Sequence, residues 1–174
     1  GLRARFHALI DPLRFPAQGL AERDIVEVRR IKARVDDERL PRGADPNLHL
    51  KLGRGGLADI EWTVQLLQMQ HAGRVSGLRT TRTLQALDAA RDAGLIAPQD
   101  AEVLTQAWCT VSRTRNAGTL VRGRGTDQIP ADSRERAGLA VVLGYAPDES
   151  DRMVNDYMRT TRRAHQVVER IFWG

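Results

Sequence analysis

From Leu20 to Arg39 the apolar residues Ile25, Val28, Ile31 and Val35 recur at steps of three and four between charged neighbours. That spacing puts one apolar stripe along a helix and leaves the opposite face for water. The same repeat returns between successive Gly and Pro breaks, and it restricts the fold more than any other feature. It predicts an all-α bundle of about six helices.

The breaks set the expected boundaries. The Phe6–Ile10 run is expected to stop at Asp11-Pro12, with Phe15-Pro16 and Gly19 extending the break. Pro41, Gly43 and Pro46 make a loop after the first long helix. A second helix is expected from Leu57 to about His71, on a stripe of Leu57, Ile60, Val64 and Leu67. A third runs from about Thr80 to Ala93 and closes at Gly94, a residue suited to a left-handed stop. The fourth starts at Pro98, with Asp100 and Glu102 in its first turn, and heads toward Gly118. A fifth begins after Asp132 or Ser133 and stops at Gly144, and the last spans about Glu149 to Phe172.

One segment departs from this period. Leu48, Leu50 and Leu52 alternate with His49 and Lys51, as in a strand. No other segment offers a matching strand. Either its partner lies in a domain outside this chain, or residues 48–52 are an extended lead-in to the next helix.

Composition narrows the functional classes. Of 174 residues, 41% are hydrophobic and 28% charged, enough for a core without staples. No apolar run approaches the roughly 18 residues that would cross a bilayer, and no signal peptide opens the chain, so no membrane role is expected. The single cysteine, Cys109, excludes an internal disulfide framework and suits a cytoplasmic setting. The opening residue is Gly1 rather than Met, as in a piece of a longer protein. The net charge of +5 is carried by arginine, since Lys32 and Lys51 are the only lysines among 27 basic residues. This balance suits an acidic partner but is too weak and scattered to imply nucleic acid.

Chemistry concentrates in the run from Leu50 to Trp62. Gly53, Gly55 and Gly56 stand just before a helix, with Lys51 and Arg54 among them. A glycine loop leading into a helix N-terminus can cradle phosphate through backbone N–H groups, and it can equally be a tight turn that needs glycine for packing. Neither the P-loop nor the dinucleotide spacing is present. Asp59 and Glu61 would share a face on a strand but diverge by about 200° on a helix, which argues against joint metal chelation. His7, His49, His71 and His165 have no ligand spacing, and no metal site is expected. Two arginine clusters remain, one at Arg113, Arg115, Arg122 and Arg124 and another at Arg159, Arg162 and Arg163. They could be solvated faces or could meet an acidic protein or a nucleotide's phosphates.

The segment Lys51-Leu52-Gly53-Arg54-Gly55-Gly56-Leu57-Ala58-Asp59-Ile60-Glu61-Trp62, followed by Val64-Gln65-Leu66-Leu67-Gln68, resembles the signature of glutamine synthetase adenylyltransferases. Their helical domain is shared with the PII uridylyltransferases. The likeness extends upstream through Ile10–Pro16. Downstream it takes in Leu78-Arg79-Thr80-Thr81, Ile129-Pro130 and Leu139–Tyr145, with Trp62 where Phe is common.

The resemblance implies a domain of an enzyme that transfers AMP from ATP to a tyrosine of glutamine synthetase, regulating nitrogen assimilation. In bifunctional members a second half removes the AMP by phosphorolysis. The wording of the motif is closer to the C-terminal, adenylylating half. The resemblance also implies that residues 1–174 form one helical domain following a nucleotidyltransferase domain absent from this chain. That missing domain would carry the catalytic aspartates, Mg2+ and ATP. No catalytic residue is then expected here, and the chain alone is expected to be inactive. Lys51, Gly53, Arg54, Gly55 and Gly56 become candidates to complete the nucleotide site, with Asp59 and Glu61 supporting them from behind. The seven arginines become candidates for docking glutamine synthetase or the PII signalling protein. In the competing reading, the whole domain is such an interaction module and the glycines are structural.

Overall fold

The computed structural model describes residues 1–174, the side chain of Arg3 excepted. Seven α-helices follow one another: α1 (Leu2–Arg14), α2 (Glu22–Arg39), α3 (Leu57–His71), α4 (Thr83–Asp92), α5 (Pro98–Arg122), α6 (Ser133–Val142) and α7 (Ser150–Val168). A short 3-10 turn at Ser76–Leu78 precedes α4, and α7 runs on into a wider final turn at Glu169–Trp173. The fold is all-α, one helix richer than the periodicity predicts.

Local chemistry explains most ends. Gly94, Gly123 and Gly144 adopt left-handed φ of 68°, 66° and 91° after α4, α5 and α6. Asp132 caps α6 by accepting the Glu135 N–H at 2.9 Å. Two expected stops fail. α1 passes through Pro12, which lacks an N–H to donate, and ends two residues later at Arg14. α5 continues through Gly118 to Arg122. There the missing side chain makes room for the Thr126 methyl, which would stand 2.8 Å from a Cβ.

α5 is the central post. On one side Ile60, Val64, Leu67, Leu87, Leu104 and Phe172 form the larger core, joining α3, α4, α5 and the chain's end. On the other, Leu50, Val111, Ile129, Leu139, Met153 and Tyr157 form a second core with α6 and α7. Trp108 packs against both. Trp62 meets Phe172 edge-on, with ring centroids 6.4 Å apart, so the larger ring in the motif fills space beside the chain's end.

Residues 48–52 are turn rather than extended, apart from His49, and this one bridging residue finds its partner inside the chain, contrary to either expectation. Leu50 donates its N–H to the Asp127 carbonyl at 2.6 Å, and Ile129 donates to Leu48 at 3.0 Å, around a single antiparallel bridge between His49 and Gln128. A single bridge leaves no alternating pattern in the sequence, because residues 127–129 are too few to show a period.

The stripe of α2 is also shifted. Ile31 is 43% exposed, whereas Lys32 is 1% exposed and takes the inward position after Ile25 and Val28. A fully buried lysine requires a paired charge.

Candidate functional site

The glycine loop is built by close backbone contacts. A Cβ on Gly53 would fall 2.1 Å from the His49 carbonyl oxygen, and one on Gly56 would fall 2.8 Å from those of Gly53 and Leu50. Gly55 has φ +66° and rests directly on α7, where a Cβ would lie 2.0 Å from the Thr161 carbonyl oxygen.

Every N–H from Leu52 to Ala58 is engaged within the protein. Leu52 donates to His49 Nδ1, Gly53 to the His49 carbonyl, Arg54 to Pro46 and Gly56 to Gly53. Leu57 and Ala58 donate back to Leu50 and Lys51, and Gly55 donates to Asp59 Oδ2 at 2.8 Å. The loop therefore presents no ready backbone cradle, and an anion would be met by side chains. Burial holds the His49 imidazole below its ordinary pKa, which suits its acceptor role toward Leu52.

Beneath the loop lies a buried ionic cluster. Lys32 Nζ donates to Asp59 Oδ1 at 2.7 Å and to Asp36 Oδ1 at 2.7 Å. Thus α2 supplies the cation, the first turn of α3 supplies the carboxylate, and the loop is tied to both through Gly55. His165 Nδ1 of α7 stands 3.6 Å from Asp59 Oδ2, and its Nε2 lies 3.6 Å from Glu169 Oε1. Burial opposes the Asp59 charge, but His165, Lys32 and the Gly55 N–H together outweigh it and hold the carboxyl below the usual range. For Asp36 burial prevails over the pull of Lys32 and raises its pKa. The Asp59 carboxylate raises His165 above its ordinary 6.5 despite partial burial.

The sign of the pH dependence follows. A histidine whose pKa is raised by folding stabilises fully below pH 6.5, and that contribution fades as pH climbs through the raised value. Burial lowers His49 and His71 instead, so their effect falls below pH 6.5 and runs the other way. Thermal unfolding followed upward from pH 6.5 should show stability declining in the wild type and a shallower decline in His165→Gln. An unchanged slope would remove His165 from the cluster.

The sequence-derived candidates separate. Asp59 is buried in the cluster, while Glu61 points elsewhere and lines a hollow with Arg14, Gln65, Gln68 and Thr80. Lys51 is exposed. Arg54 reaches a hollow of about 200 Å3 shared with Asn47, Thr161, Arg162 and His165. Arg162 thus joins the loop, apart from its neighbours in sequence. Arg115 pairs with Asp127 at 2.6 Å and Arg122 with Glu135 at 3.3 Å, whereas Arg124 is exposed. Arg113, Arg159 and Arg163 converge on a third place, a cleft between α5 and α7. Lys32, Asp36 and His165 were not legible as site residues. The available signal was a lysine at an inward position of an amphipathic stripe.

Residues 28–173 match the family model described as GlnD PII-uridylyltransferase. The chain belongs to this family. It is also 56% identical, over 173 residues and 99% of its own length, to the bifunctional glutamine synthetase adenylyltransferase/adenylyl-removing enzyme of Streptomyces avermitilis. Proteins of the same description from Mycobacterium avium and Corynebacterium diphtheriae are 53% and 51% identical over 98% and 99% of the chain. The chain spans only 17%, 17% and 16% of these three relatives. Within this GlnD-family domain, no helix among the described residues is long and apolar enough to cross a membrane.

Proposed function

We propose that this chain is the helical domain of an enzyme that transfers AMP from ATP to a tyrosine of glutamine synthetase, with removal of the AMP by a second half in bifunctional forms. The observation that carries this reading is identity above 50% over nearly the whole chain to enzymes of that description. Glutamine synthetase is then the acceptor, and the PII signalling protein is a second candidate partner.

In this reading the loop serves the nucleotide through side chains. Lys51 and Arg54 stand out from a rigid turn, and Arg162 adds positive charge beside Arg54, with the His165 imidazole lining the same hollow. Fixed cations aimed at phosphate lower a transfer barrier without reorganising during the reaction. The glycines hold this edge in place, and Asp59 holds it from behind. Magnesium does not fit the carboxylates here, because Asp59 is committed to Lys32 and the Gly55 N–H while Glu61 points into a different hollow. Mg2+ and ATP would be held by portions of the enzyme outside residues 1–174, where ATP supplies the transferred AMP.

The test uses the full-length enzyme and labelled ATP. Lys51→Ala, at an exposed position, should lower AMP transfer to glutamine synthetase about a hundredfold with protein binding unchanged. Undiminished turnover at saturating glutamine synthetase would assign the domain to docking through its arginines. Loss confined to phosphate-dependent AMP release would place it in the removing half.

A further inference from the structure

The cleft between α5 and α7 lies away from the glycine loop and is not used in the reading above. It encloses about 400 Å3, within the range of small-molecule sites. Its floor is Met153, Tyr157 and Thr114, all at most 3% exposed. Arg113 enters from α5, and Arg159 and Arg163 enter from α7 one turn apart.

The charges are unequally engaged. Asp156, the one carboxylate lining the cleft, binds Arg159 and accepts the Tyr145 hydroxyl at 3.1 Å. Arg113 and Arg163 form no ion pair among the described residues, in a protein where most neighbouring arginines of the same clusters do. Three guanidinium groups against one carboxylate leave a net charge of +2 around the cleft.

A neutral donor stands beside the two unpaired guanidinium groups. Tyr157 is 3% exposed, lines the cleft, and its hydroxyl makes no hydrogen bond among the described residues. Burial pushes its phenol far above the ordinary value, so the hydroxyl remains a donor at all physiological pH. Although the residue is buried, its hydroxyl oxygen is not occluded, so it opens into the cleft and is free to donate to whatever occupies it. Leu143 and Met153 give the same cleft an apolar wall.

We propose that this cleft binds a small phosphorylated metabolite, with the phosphate held by Arg113 and Arg163, the Tyr157 hydroxyl donating to a phosphate oxygen, and the organic body against Leu143 and Met153. A phosphomonoester carries about −1.5 to −2 charge with three acceptor oxygens, which matches two free guanidinium forks and a net +2 better than a single planar carboxylate does. The site is independent of the nucleotide reading of the loop, since the two share no lining residue.

Titration calorimetry with phenyl phosphate, benzoate and inorganic phosphate as probes tests this on the protein. Phenyl phosphate should bind saturably, more tightly than inorganic phosphate, which lacks the apolar body, and than benzoate, which lacks the dianion. Arg113→Gln and Arg163→Gln, both at exposed positions, should each weaken it at least tenfold. Tyr157→Phe should weaken it severalfold with no change of charge, whereas Arg42→Gln, at an exposed position remote from the cleft in sequence, should leave it within twofold. Equal losses in Arg42→Gln and Arg163→Gln would mean diffuse attraction and overturn the proposal. So would benzoate binding as tightly as phenyl phosphate, or no saturable binding of any probe at millimolar concentration.

Discussion

Lys32→Met should destabilise the domain by about 3–5 kcal/mol, the range found when one partner of a buried ion pair is removed. The size comes from what the substitution leaves behind. Lys32 is 1% exposed, and the Asp59 side chain it faces is 9% exposed. Methionine fills nearly the same volume, so packing changes little. Asp59 would keep the Gly55 N–H and the approach of His165 but would lose its nearest cation. Asp36 would suffer less, because its side chain is 36% exposed and can rehydrate. Adding Asp59→Asn removes the stranded charge while keeping an oxygen for Gly55, so the double variant should recover about 2 kcal/mol relative to Lys32→Met alone. Urea unfolding of the four proteins gives the cycle directly. A cost below about 1 kcal/mol for Lys32→Met, or a double variant showing the plain sum of the two losses, would show that the pair does not hold the loop.

This pair also marks where sequence reading reaches its end. The C-terminal end of α4 and both ends of α6 were legible because a cap or a left-handed glycine acts within a few residues of itself. Asp59 stood out as part of a motif, yet its role depends on Lys32, 27 positions earlier on another helix. Periodicity placed Ile31 on the inner face because burying isoleucine is ordinary and burying lysine is not. One step of rotation, 100° around α2, separates the two assignments. The glycine loop shows the same limit. Its three glycines were open to two explanations from spacing, a phosphate cradle or a packed turn. Only the destinations of the N–H groups show that the amides are engaged internally. The convergence of Arg113 with Arg159 and Arg163 was likewise hidden, since the two clusters lie some forty positions apart and Arg162, between the last two, faces another hollow. The distinct roles of neighbouring arginines come from helix geometry acting on a tertiary arrangement that no local pattern encodes.

Gly55→Ala should cost at least about 4 kcal/mol, a size reserved for a few mechanisms such as overpacking and backbone strain. Two of them coincide at this residue. Its φ of +66° would cost alanine about 1–2 kcal/mol by itself. The new methyl would then lie 2.0 Å from the Thr161 carbonyl oxygen, 2.8 Å from its carbon and 3.0 Å from the His165 N. All three are backbone atoms of α7, so no side chain can rotate away, and the loop and helix must separate. Gly123→Ala supplies the comparison. That residue has the same φ of +66° with nothing within 4 Å, so its cost should stay near 1–2 kcal/mol. The difference between the two variants measures the loop–helix contact alone. Separation would also draw the Gly55 N–H from Asp59 and move Arg54 away from Arg162 and His165. On the function proposed above, AMP transfer by the full-length protein should therefore fall in Gly55→Ala even where it remains folded, while Gly123→Ala transfers normally. Equal destabilisation by the two substitutions would mean that α7 yields easily, and the loop would then lack the rigid backing that the proposed phosphate contact requires.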